Sequence, residues 1–173
     1  ILAPRARYGE IVDTITDLAK SLTIGDPTDP DTKIGPLVSA QQRARVEGYI
    51  AKGKAEGARL TTGGGRPDGI DHGWFVEPTI FADLDNNATV AREEIFGPVL
   101  SVIPYSDETE AVSIANDSIY GLGGSVWSAD ADRATAVARK VQSGTVGVNH
   151  YVNEPTAPFG GIKQSGFGRE LGP

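Results

Sequence analysis

The stretch GGSVWSADADRATAVARKVQSGTVGVN, Gly123–Asn149, decides the fold. Its first apolar segment, GSVW around Val126, reads as a strand. The segment Asp130–Gln142 reads as a helix, and TVGVN, Thr145–Asn149, as a second strand. Strand, helix and strand in direct succession are how a chain builds a parallel pair. Working upstream, LSVIPY, Leu100–Tyr105, is short and nearly all apolar, as buried parallel strands tend to be. Asp107 opens a helix that runs to Asn116, with Ala111, Ile114 and Ala115 turned inward. The expected class is α/β, a three-layer and largely parallel sheet with flanking helices, in which Leu100–Tyr105, Gly124–Trp127 and Thr145–Asn149 are central strands.

The N-terminal part fits the same class. Residues Tyr8–Leu22 place Ile11, Ile15, Leu18 and Leu22 at helical spacing, with Asp13, Asp17 and Lys20 outside the stripe. The proline-punctuated run TIGDPTDPDTKIGPLVS reads as an extended connection. Ser39 caps a helix over Ala40–Glu56, with Val46, Tyr49 and Ile50 inward and Gly57 ending it. RLTTGG is a short strand and GGGRPDGIDHG a turn. WFVEPTIF, Trp74–Phe81, reads as a strand whose Pro78 belongs at an edge or an end. No repeat, low-complexity tract or linker interrupts residues 1–173, so a single compact unit is expected.

Composition narrows the function. Of 173 residues, 39% are apolar and 23% charged, a globular balance. No apolar run approaches the roughly 20 residues that cross a bilayer, and no membrane partner or export is expected. A net charge of −7, with the basic residues scattered, argues against nucleic acid. There is no cysteine, so no disulfide, thiolate metal site or thiol nucleophile lies within the chain, and with only His72 and His150 no metal site is expected. The chain holds no methionine and opens on Ile1, which reads as a processed chain or a piece of something longer.

Three motifs could carry chemistry. In EEIFGPVL, Glu93–Leu100, two adjacent carboxylates cannot point the same way, so Glu93 and Glu94 have different roles. They are either solvated residues of a helical turn before Gly97-Pro98, or a carboxylate for paired sugar hydroxyls beside Phe96 as a flat wall for a planar heterocycle. TAPFGGIKQSGFGREL, Thr156–Leu171, crowds glycines beside Phe159 and Phe167. It is either an irregular packed loop or a place of close approach, and it matches neither the dinucleotide fingerprint nor the phosphate-binding loop. YGLGGSVWSAD, Tyr120–Asp130, reads as architecture. His150 directly follows a strand, where α/β folds place ligands and where a lone histidine also serves as a hydrogen-bonded structural residue.

Taken in order and spacing, EEIFGPVL, YGLGGSVWSADADRA, GTVGVNHY and PFGGIKQSGFGRELG resemble the C-terminal part of the catalytic domain of the NAD(P)-dependent aldehyde dehydrogenase superfamily. ILAPRARYGEIV, GDPTDPDTKIGPLVS and GGGRPDG fit the same family, so the resemblance covers residues 1–173. It implies an oxidoreductase in which a cysteine thiolate attacks an aldehyde, hydride passes to NAD or NADP, and a glutamate-activated water releases the carboxylic acid. By similarity Glu94 binds the nicotinamide ribose, Phe96 lies beside the nicotinamide, and Gln42 and Arg45 reach the cofactor's ribose and phosphates. Phe159 lines the aldehyde tunnel and residues His150–Thr156 shape its mouth. Where several members carry an aromatic residue in that loop, this chain has Asn153 and Glu154, and Tyr151 is the nearest ring.

The resemblance also implies what the 173 residues lack. The nucleophile, the general base and the cofactor-binding fold are expected upstream, no catalytic residue is expected within the chain, and the chain alone is expected to be inactive. Its expected partners are a small-molecule aldehyde and the rest of its own polypeptide, in a cytoplasmic homodimer or homotetramer. Two other readings stand beside this one: an acylating or phosphate-reducing relative, and a non-catalytic binding or scaffold module with the same fold.

Overall fold

Two arrangements of the same alternation are possible, one continuous sheet or several short ladders, and the chain takes the second. The structure is a computed structural model that describes residues 1–152 and 154–172. It divides into two compact units, Ile1–Tyr105 and Ser106–Pro173, where the sequence leads one to expect one.

In the first unit, β1 (Leu2–Pro4) leads through a 3₁₀ turn into α1 (Tyr8–Ser21), followed by α2 (Ala40–Ala55), β2 (Arg59–Thr62), β3 (Thr79–Ala82), the single turn α3 (Thr89–Arg92), β4 (Val99–Ser101) and β5 (Ile103–Tyr105). One ladder has the order β2-β3-β4, antiparallel at β2-β3 and parallel at β3-β4, and a separate parallel pair joins β1 to β5. The segment expected as one strand, Leu100–Tyr105, is therefore two, and its two halves pair with different partners. The break falls at Val102. Its N–H donates to the Phe81 carbonyl at 2.8 Å, but its carbonyl accepts the Tyr8 hydroxyl at 2.8 Å. A side chain has taken the place of the next strand, and Leu100 is 45% exposed instead of buried.

Two further expectations give way here. Of the predicted strand Trp74–Phe81 only Thr79–Phe81 is a strand, within β3, because Pro78 has no N–H to offer and the N–H of Glu77 is spent on the carbonyl of Gly65, 3.0 Å away. In α1 the buried face is Val12, Thr16 and Ala19, with Ile11 and Ile15 packed beside it and Leu18 62% exposed. The helix is turned about one residue from the predicted stripe because polar groups hold it. The Tyr8 hydroxyl bridges the Val102 carbonyl and the Asp83 N–H, and Thr16 bonds Thr61 at 2.7 Å. Burial raises the pKa of Tyr8. One core cluster consists of Ala3, Val12, Ala19, Ile80, Ala82 and Val102, and Phe81 of β3 and Val46 and Ile50 of α2 are buried as well.

The second unit is the stretch read first. Asp107 caps α4 (Glu108–Asn116), whose Ala111, Ile114 and Ala115 are half-buried. Parallel strands β6 (Gly123–Val126) and β7 (Thr145–Val148) pair in register. Between them Asp130 accepts from the Arg133 N–H and starts α5 (Ala131–Ala138), which stops short of the predicted Gln142. Lys140 and Val141 instead donate to carbonyls three residues back, tightening the chain so that it can turn into β7. Close approach explains one glycine: a Cβ on Gly144 would lie 1.6 Å from the Gly160 carbonyl oxygen. The class is α/β, with parallel strand pairs flanked by helices.

Candidate functional site

Helix α2 exists because Ser39 accepts the Gln42 N–H at 3.1 Å, satisfying one of the free donors of its first turn, and because Val46, Ile50 and Gly53 are buried on one side. Along its length, residues at helical spacing grip the segment Thr89–Gly97. The Gln42 amide donates to the carbonyls of Ile95 and Phe96, at 3.1 and 2.9 Å. The Arg45 guanidinium donates to the Glu94 carbonyl at 2.8 Å and to the Tyr49 hydroxyl at 3.2 Å. That hydroxyl donates in turn to the Glu93 carboxylate at 2.7 Å. At the far end Glu56 accepts the Thr89 N–H at 2.7 Å and its hydroxyl as well, and these bonds hold its carboxyl below the usual carboxylate range. Close contact seals the seam, since a Cβ on Gly97 would lie 2.5 Å from a Val46 methyl.

This grip gives the segment its shape. Ile95 is buried, while Phe96 takes φ +59° and is 73% exposed. A left-handed conformation is unusual for a bulky residue and is kept only where the surroundings impose it. Glu93 and Glu94 are both exposed, yet their roles divide. Glu93 is bound to Tyr49 by its carboxylate, and Glu94 is bound to Arg45 by its backbone carbonyl. The arrangement thus presents one carboxylate and one ring to solvent from a backbone held at three successive carbonyls, a fit for paired hydroxyls beside a flat heterocycle. Gln42 and Arg45 lie beside Glu94 and Phe96, bonded to the loop carbonyls and, for Arg45, to Tyr49 as well. Tyr49, read from sequence as an inward residue, belongs to this cluster. Its signal was present in the spacing, four residues after Arg45 and seven after Gln42.

Tyr151 and Phe159 belong to the second unit. Asn149 takes φ +58° at the end of β7 and clasps Ser128 by bonds to both its N–H and its carbonyl, 2.8 Å each. His150 places Nδ1 2.8 Å from the Val148 carbonyl. Tyr151, 59% exposed, lays its ring on β6 so closely that a Cβ on Gly123 would be 2.7 Å from the hydroxyl oxygen. Asn153 lies outside the described residues. Glu154 accepts the hydroxyl and N–H of Thr156, which hold its carboxyl below the usual range. Phe159 is half-buried and exchanges two 2.7 Å backbone bonds with Glu170. The glycine-rich segment is braced by Arg169, whose guanidinium donates to the carbonyls of Gly161 and Gly168 at 2.8 Å. Among the described residues no cluster of three or more His, Asp or Glu could hold a metal ion, and no helix is long and apolar enough to cross a membrane.

Comparison with known proteins gives these features a context. The chain is 57% identical over 173 residues to a geranial dehydrogenase of Castellaniella defragrans, spanning 100% of this chain and 36% of that protein. It is 50% identical over 164 residues to a betaine aldehyde dehydrogenase of Brucella ovis, spanning 93% of this chain and 34% of the relative. The chain thus spans about a third of the length of the curated relatives it matches. Among solved structures, the Mycobacterium tuberculosis aldehyde dehydrogenase complexed with NAD+ superposes with a TM-score of 0.98 at 57% identity, over 100% of this chain and 36% of that one. A Pseudomonas syringae aldehyde dehydrogenase variant complexed with NAD+ and octanal gives 0.96 at 43% identity, over 99% and 36%. A model of the aldehyde dehydrogenase family matches residues 1–173, and the chain belongs to that family.

Proposed function

We propose that the chain is the C-terminal part of the catalytic domain of an enzyme that oxidises an aldehyde to a carboxylic acid with NAD or NADP, and that its contribution is to hold the nicotinamide end of the cofactor. The observation that carries this reading is the Glu94–Phe96 presentation: an exposed carboxylate and an exposed ring on a backbone tied to α2 by Gln42 and Arg45. The NAD+ in two solved relatives supports NAD. When bound, the dinucleotide supplies the hydride acceptor. Glu94 accepts the two ribose hydroxyls, and Phe96 walls one side of the ring. Tyr151 and Phe159 line the aldehyde's approach. The chain has no cysteine, so the thiol of the family's reaction is not among these residues, and the 173 residues alone do not oxidise aldehydes. The parent is a cytoplasmic homodimer or homotetramer.

The test is single-turnover hydride transfer in the full-length parent. Each charge-assisted hydrogen bond to Glu94 contributes roughly 1.5–3 kcal/mol. Glu94→Gln keeps an acceptor but loses the charge, so hydride transfer should slow while dinucleotide affinity falls only modestly. Glu93→Gln should do much less. Equal effects of the two substitutions would show that the pair is structural and would defeat the reading.

A further inference from the structure

Three side chains of α2 hold residues 93–96, and two of them do so through main-chain carbonyls. The third contact, from Tyr49 to the Glu93 carboxylate, is the one that a side-chain substitution can remove without touching Glu94 or Phe96. We infer that Tyr49 is a positioning residue: its hydroxyl, braced by Arg45, fixes Glu93 at the end of α3 and so sets the direction in which Glu94 and Phe96 leave that turn. This rests on the reading of Glu94 and Phe96 proposed above.

The geometry forms a directed line. Arg45 donates to the Tyr49 oxygen at 3.2 Å, and Tyr49 donates to Glu93 at 2.7 Å, so the hydroxyl is used as acceptor and donor at once. Successive bonds of this kind polarise and strengthen one another. The Arg45 guanidinium also lies 5.2 Å from the Tyr49 ring centroid, and the same Nη2 that meets the hydroxyl donates to the Glu94 carbonyl. Tyr49 therefore holds Glu93 directly and Glu94 through Arg45. Its own place is fixed by α2, where its neighbours Val46 and Ile50 are buried. The hydroxyl matters apart from the ring because the backbone N–H of Glu93 is already tied to the Thr89 carbonyl at 3.1 Å, a bond that does not hold its side chain, whereas the Tyr49 hydroxyl does. Displacement of a reacting group by about 1 Å can cost about 10²-fold in rate, so a modest loosening of this loop is enough to be measured.

The experiment uses the full-length parent with Tyr49→Phe, Glu93→Ala, the double variant, and Glu93→Gln, which retains an oxygen to accept from Tyr49. Three quantities are read: amide hydrogen exchange at residues 94–97 without dinucleotide, dinucleotide Kd, and the single-turnover hydride-transfer rate. Tyr49→Phe and Glu93→Ala should each speed exchange at these amides and slow hydride transfer by about tenfold, with Kd changing by less than about threefold. The double variant should lose no more than either single one, as coupled partners do, and Glu93→Gln should stay near the parent rate. An unchanged hydride-transfer rate in Tyr49→Phe, or additive losses in the double variant, overturns the inference while Glu94→Gln remains slow. If Glu94→Gln also transfers hydride at the parent rate, the underlying reading falls and takes the inference with it.

Discussion

Phe96 is the residue at which structure and proposed use meet. A phenylalanine at φ +59° with 73% of its surface exposed contributes little burial and carries backbone strain of order 1 kcal/mol or more. Substitution by glycine relieves that strain and gives back a similar amount through greater freedom of the unfolded chain. Phe96→Gly is therefore expected to leave the unfolding free energy within about 1 kcal/mol of the parent in denaturant titration, while Ile95→Ala, which empties a buried site, costs about 2–5 kcal/mol. A large loss from Phe96→Gly would mean that the ring supports the fold. The sequence made the opposition of Glu93 and Glu94 legible, because adjacent residues cannot face alike. It could not show that Tyr49 reaches Glu93, since the two lie 44 residues apart and nothing local joins them. Gln42 and Arg45 came from resemblance, and only the structure shows that both side chains donate to the loop carbonyls and that Arg45 also meets the Tyr49 hydroxyl.

At the scale of elements, α2 acts as a spine for Thr89–Gly97, and its fit is close enough to be tested by one methyl group. A Cβ on Gly53 would lie 2.9 Å from the ring of the fully buried Phe81 and 3.0 Å from a Val90 methyl. Gly→Ala in a helix normally gains about 1 kcal/mol, but overpacking a rigid core costs about 1–3 kcal/mol. Gly53→Ala should therefore lower stability, and a rise in the unfolding midpoint would show that the seam has slack. Acid should loosen the same spine. Glu56, bonded by Thr89, and Glu47, bonded by Arg66, both have carboxyl pKa values below the ordinary range when folded. A carboxylate of this kind stabilises the fold fully above its unfolded pKa, near 4.5 for both, and its contribution is lost as pH falls through the folded value. The unfolding midpoint should drop more steeply below about pH 5 in the parent than in Glu56→Gln, and parallel curves would refute a role for Glu56. Helix starts were legible because caps are local: Ser39, Asp107 and Asp130 each accept the backbone N–H expected of them. Strand ends were not, because the split at Val102 depends on Tyr8, 94 residues away.

For the whole molecule, the two units differ in how much core they own. Among the described residues, all the buried apolar ones but Ala134 belong to Ile1–Tyr105, whereas Ile119, Tyr120, Leu122, Trp127, Tyr151, Val152, Phe167 and Leu171 of the other unit are exposed. The longer parent proposed above is expected to cover these side chains, and the alternation of strands and helices gave no sign of it, because periodicity reports which faces are apolar and not what covers them. Backbone hydrogen bonds open most easily where few buried apolar contacts hold them. In the 173-residue chain, the amides of β3, whose four residues are all buried, should exchange with solvent slowest. Those of β6 and β7, which have no buried apolar side chain, should exchange at least about tenfold faster, since about 1.4 kcal/mol of local opening energy already gives that ratio. In the longer parent proposed above, β6 and β7 should approach the protection of β3, because the surface flanking them is then covered. Equal exchange of the three strands in the 173-residue chain would show that the second unit holds itself together by its backbone network alone, through the braces of Arg169, Asn149 and Lys163, and needs no cover.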